Sequence, residues 1–175
     1  HKAAYTKLLD DPHYGTFLKM IKSQVDGIYD DHDYGMNDSG ESYRHKEISK
    51  NLFLDFIGES ESSERRRKGR AAYAARDILG GAVRLIFLDL RFHRSSYSQS
   101  DSGDFLGPEQ WSWLNRTLQE SHAGVHIIAS SIQVLRPFPG VGEVWGRFPN
   151  QRTKLLQLIK DTGAKGVIFL SGDVH

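Results

Sequence analysis

Apolar and polar positions along this 175-residue chain change rhythm part-way through. In the first third the spacing is helical. Tyr5, Leu8 and Leu9 share a face within residues 1–22, Asp11-Pro12 interrupts it, and residues 16–22 resume it. Val25 to Tyr29 is a short apolar stretch that predicts a strand. Residues 42–57 predict the clearest early helix, with Ile48, Leu52, Phe53 and Phe56 on one face, Ser42 placed to cap it and Gly58 placed to end it. Residues 59–70 (ESESSERRRKGR) have no apolar period. They predict a solvated loop, with a basic patch for an anionic partner as the alternative, opposed by the interleaved glutamates.

From Val83 onward the apolar runs become continuous. Residues 83–89 (VRLIFLD), 125–129 (VHIIA) and 166–171 (GVIFLS) read as strands. Between them, Pro108 opens a helix carrying Trp111, Leu114 and Leu118, and Pro149 opens one carrying Leu155, Leu156 and Ile159, with Gly163 as its stop. A serine-rich loop (91–107) and a Pro/Gly loop (137–142) fill the gaps. Strands alternating with helices, each strand apolar on both sides, argue for an α/β fold with a central sheet covered on its faces. No internal repeat is evident.

Length suits one domain, residues 1–175, large enough to bury a core. The net charge of +1 gives no support for a nucleic-acid or membrane-surface partner. No apolar stretch approaches the roughly 20 residues of a transmembrane helix. With no cysteine, thiolate ligands, disulfides and a cysteine nucleophile are excluded, while the compartment stays open. The chain ends at His175 inside a motif, so a piece of a longer protein is expected.

Chemistry gathers where strands end, the usual place for ligands in open α/β sheets. The polar groups there are Asp30-Asp31-His32, Arg91 with Arg94, Ser130-Ser131, and Asp173 with His175. Two acid/imidazole clusters, each just past an apolar run, suit metal ligation. Carboxylate and imidazole without thiolate favour zinc, manganese, iron or calcium. Two metals about 3.5–4 Å apart would need more ligands than are obvious here, which again suggests missing sequence. Arg91 is a candidate for a bidentate phosphate contact, or else a buried partner of Asp89. Asp30, Asn37 and Asp38 are equally turn formers by type. His1, His13, His45, His93, His122 and His126 are expected at the surface or in packing, and Trp111 and Trp113 in the core.

The string Tyr29 to Gly40 (YDDHDYGMNDSG) resembles a segment of the alkaline phosphatase D (PhoD-like) family of metallophosphatases. Further similarities follow in the family's order: residues 50–56, 85–95, 106–114, 128–134, 145–149 and 166–175. Tyr29 stands where that family usually has tryptophan, and the family's upstream Gly-Asp strand is absent. The resemblance implies a four-layer α/β/β/α sandwich, here partial, and hydrolysis of phosphate mono- or diesters at a site of two or more metals, iron and calcium among them. It implies Asp31, Asp173 and His175 as metal ligands and His32 as the adjacent imidazole facing the phosphate, the catalytic acid or charge stabiliser. It also favours a secretory or extracytoplasmic setting. Two rival readings accompany it: a non-catalytic fragment or subunit that keeps the fold, and an aspartyl-phosphate hydrolase using Asp89, Asp30 or Asp31.

Overall fold

The computed structural model describes residues 1–21, 25–100, 102–136 and 142–172. Helices α1 (Lys2–Leu9), α2 (Pro12–Met20), α3 (Asp31–Tyr34) and α4 (Lys46–Phe56) precede a segment of strands and helices: β1 (Ala74–Ile78), β2 (Val83–Leu88), α5 (Gly107–Gln119), β3 (Val125–Ser130), α6 (Pro149–Thr162) and β4 (Val167–Ser171). The strands form one sheet in the order β1-β2-β3-β4. β1 runs antiparallel to β2, while β2, β3 and β4 are parallel, in a register that aligns Ile86 with Ile128 and Ile128 with Phe169.

That register builds the core. Ile86, Leu88 and Ile128 point to one face, against Trp111, Leu114 and Leu118 of α5 and Leu155 of α6. Each such side chain contributes about 1.5–3 kcal/mol when fully removed from water. Proline sits in the first turn of both helices, where its missing N–H costs nothing, and Gly163 closes α6 with φ +67°, a left-handed position that disfavours other residues. The opposite face carries Leu85, Ile127, Ile168 and Leu170, and no described helix covers it; Ile168 and Leu170 stay exposed. The sheet is therefore covered on one side among the described residues, where cover on both was expected. No described helix is long and apolar enough to cross a membrane.

A second core lies beside the sheet edge, built from Tyr29, Tyr34, Phe53, Leu54, Tyr73 and Phe92. Three expectations change here. Residues 25–30 form no strand. Arg65 ties this segment down instead, donating from Nη1 to Asp26 Oδ1 at 2.8 Å and from Nη2 to the Gly27 carbonyl at 2.6 Å. The loop 59–70 is not simply solvated: Arg65 is 2 % exposed and also pairs with Glu59 at 2.9 Å. Helix α4 starts at Lys46, without a cap from Ser42, and turns a different face inward. Ile48 is exposed, whereas Lys50 is fully buried, with Nζ on the carbonyls of Arg67 and Arg70 at 2.9 Å each and on Glu47 at 2.8 Å. A lysine can replace an apolar residue there only because every proton of its ammonium has an acceptor.

A candidate metal site at the carboxyl ends of the strands

The turn after β2 is fixed by Asp89. Its Oδ1 accepts the backbone N–H groups of Arg91 at 2.9 Å and Phe92 at 3.0 Å, and its Oδ2 accepts from Ala72 N–H at 2.7 Å and from the Tyr29 hydroxyl. Burial and the Asp89 carboxylate push the Tyr29 phenol well above its usual range, so it stays a donor. Gln110 completes the lock, accepting from Asp89 N–H and donating to its carbonyl, both at 2.9 Å. Fully buried and saturated in this way, Asp89 serves the fold and offers no free oxygen for nucleophilic attack.

Locking that turn aims Arg91 across the strand ends. Its guanidinium is fully buried and reaches two carboxylates: Nε donates to Asp30 Oδ1 at 2.7 Å, and Nη1 and Nη2 donate to the two oxygens of Glu143 at 2.9 and 2.6 Å. Burial works against the charged form of Arg91. The hydrogen bonds and charges of Glu143 and Asp30 more than reverse this, holding its pKa above the usual value. Where the sequence suggested Asp89 as a protein partner, its hydrogen-bonded carboxylates among the described residues are Asp30 and Glu143.

Asp31, 4 % exposed, opens α3 beside this pair. Its Oδ1 accepts from His32 N–H at 2.8 Å and its Oδ2 from Asp38 N–H at 2.9 Å. The second bond folds residues 31–38 back on themselves, and Asp38 takes the left-handed conformation (φ +55°) that aspartate tolerates better than most residues. One carboxylate oxygen from each of Asp31, Asp38 and Glu143 then falls within 4.8 Å of the others. Burial raises the Asp38 pKa, the nearby Glu143 and Asp31 carboxylates raise it further, and Arg91 opposes them. Three clustered acids, two of them buried, leave more negative charge than the neighbouring guanidinium balances. This oxygen-only donor set fits a hard cation.

His32 sits at the rim, its side chain 77 % exposed and Nε2 3.9 Å from Asp31 Oδ2. Asp173 and His175 lie outside the described residues. The described chain leaves β4 beside this site, with Gly172 N–H on the Ser131 carbonyl at 3.2 Å. A cavity of about 340 Å³ there is lined by Asp30, Asp33, Ser130, Ser131, Ser171 and Gly172. Ser130 is structural: Trp145 Nε1 donates to its hydroxyl at 3.0 Å, which fixes the loop that carries Glu143. The structure thus brings Asp30, Asp31 and Arg91 together and adds Asp38 and Glu143.

The sequence profile of the PhoD-like phosphatases matches residues 28–175, nearly the whole chain and every residue of this cluster. The chain belongs to the PhoD-like phosphatase family. Over 88 residues it is 30% identical to alkaline phosphatase D of Bacillus subtilis (strain 168), a match covering 46% of this chain and 15% of that protein. A solved PhoD structure superposes with a TM-score of 0.61 at 21% identity, covering 83% of this chain and 33% of that one, which supports a shared fold. The chain therefore spans well under half of these relatives.

Within the PhoD-like family reading, Glu143 is the residue that sequence reasoning missed. It follows no apolar run and stands in a Pro/Gly-rich loop between Gly142 and Val144. Only its neighbour Trp145, inside a family-like string, hinted at a fixed position. Asp38 was visible as a turn former, and its carboxylate's place beside Asp31 depends on the left-handed turn.

Proposed function

We propose that the full-length protein hydrolyses phosphate esters, mono- or diesters, at a metal site of which Asp31, Asp38 and Glu143 form part. The observation that carries this reading is their clustering within 4.8 Å at the strand ends of a PhoD-like phosphatase domain. A bound cation would supply Lewis acidity toward the phosphoryl oxygens and charge neutralisation. Among the chain's own residues, Asp31, Asp38 and Glu143 would hold the cation, with Asp173 and His175 as further ligands of a dinuclear-type site. Arg91 positions Glu143 and Asp30 from behind. His32, exposed beside Asp31, carries the proton to the leaving oxygen. The open face with Ile168 and Leu170 suits a second sheet, as in a four-layer sandwich.

The test is turnover of an aryl phosphate and of a bis-aryl phosphodiester by the full-length protein, dialysed against chelator and resupplied with calcium, iron, manganese or zinc. Metal-restored hydrolysis that is lost in Glu143→Gln supports the reading. Stoichiometric metal binding without turnover of either ester would leave only a non-catalytic member of the fold.

A further inference from the structure

Next to the carboxylates lies a second cavity of about 610 Å³, whose lining includes Asp38, Ser39, Arg44, Arg94, Ser95 and Ser96. Arg94 is the unusual member. It is 3 % exposed, yet among the described residues no carboxylate lies within ion-pair distance of it. Its Nη1 donates to the Ser95 carbonyl at 3.0 Å, its Nη2 to the Asp38 carbonyl, and its Nε has no hydrogen-bond partner among the described residues. The guanidinium stacks on Tyr97, 4.2 Å from the ring centroid. Gly40 leaves room for it: a Cβ there would lie 2.6 Å from the Arg94 carbonyl oxygen and 3.1 Å from Cζ. A buried, permanently charged group with only neutral partners is costly unless an anion completes it.

Resting on the phosphatase reading above, we propose that this cavity is a second anion subsite, which binds a non-reacting phosphate of the substrate through Arg94 and the exposed Arg44. Its wall suits that ligand. Arginine recognises phosphate oxygens by paired N–H donors, and Ser39, Ser95 and Ser96 add hydroxyls around it. Asp38 is shared between this cavity and the metal cluster, so the two phosphates of one substrate would occupy adjoining compartments. The preferred substrate is accordingly a doubly phosphorylated ester, cleaved at one phosphate and held by the other.

The experiment compares a phenyl monophosphate with a phenyl bisphosphate on the full-length, metal-loaded protein, wild type and Arg94→Gln. The bisphosphate should have the lower KM, and Arg94→Gln should raise its KM about tenfold more than that of the monophosphate, the scale of one lost charged hydrogen bond. Arg44→Gln, at an exposed position, should shift the ratio in the same direction if the buried variant fails to fold. Inorganic phosphate added as competitor separates the sources. If it weakens bisphosphate binding equally in wild type and both variants, the substrate's second phosphate does not use these arginines and the proposal falls. Calorimetric binding of a non-hydrolysable bisphosphonate, weakened in Arg94→Gln, tests the subsite even if neither ester is turned over. In that case the phosphatase reading fails and the subsite stands. Equal KM changes for both esters, or no change, would overturn it.

Discussion

Arg91 and Glu143, 52 residues apart, meet in a two-pronged ion pair with N···O distances of 2.9 and 2.6 Å. Both are almost wholly buried, and the Tyr97 hydroxyl donates to the same carboxylate. The pair joins the turn after β2 to the loop before α6. It also holds the Glu143 carboxylate beside those of Asp31 and Asp38.

Glu143→Ala should cost about 3–5 kcal/mol of stability, toward the lower end because Asp30 still faces Arg91. Urea unfolding monitored by tryptophan fluorescence measures this, Trp145 being two residues away. A loss below about 0.5 kcal/mol, the level of ordinary surface changes, would mean the buried pair is not formed.

On the proposed phosphatase reading, His32→Ala in the full-length protein should lower kcat by roughly 10²–10⁴ while bound metal stays nearly constant. Metal content falling in step with activity would make His32 a ligand instead.

Lys50→Met should destabilise the domain by about 3 kcal/mol, because the carbonyls of Arg67 and Arg70 lose their charged donor and Glu47 loses its partner. Restoring charge with Lys50→Arg should recover little, since the wider guanidinium does not fit a fully buried ammonium site. Thermal unfolding of the two variants beside wild type decides it.

Acid stability should depend on Glu59. Burial alone would raise its pKa, but hydrogen bonds from Ser63 and Arg65 and the charges of Arg65 and Arg76 hold it below the usual value. A carboxyl with a depressed folded pKa contributes stability above its unfolded pKa and loses it as pH falls through the folded one. Glu59→Gln should therefore lower stability near neutrality and flatten its decline below about pH 4.3, the ordinary glutamate value. Parallel stability–pH curves for variant and wild type would exclude this role.

Much of the fold could be read from local spacing. The continuous apolar runs became β2, β3 and β4, and Pro108, Pro149 and Gly163 mark helix boundaries where their backbone constraints require them. Strand β1 is not legible in the sequence, because its residues, Ala74 to Ile78, carry little apolar signal and gain their place by pairing with β2. Val25 to Tyr29 has a strand-like composition, yet Arg65 satisfies its carbonyl at Gly27 and no neighbouring strand is needed.

The site divides in the same way. The concentration of acids at residues 30–38, just past a short apolar stretch, is a property of the sequence alone, as are the family resemblance and the absence of thiolate. Tertiary structure decided that Arg91 faces Asp30 and Glu143, that Asp38 turns its carboxylate beside Asp31, and that Lys50 and Arg65 are buried charges. The physical reason is range. Helical and strand periodicity act over a few neighbouring residues, so their traces survive in the linear pattern. Ion-pair partners are chosen by geometry across the folded chain, 61 residues apart for Asp30 and Arg91, and the same residue types serve equally well as surface charges until packing removes water from them.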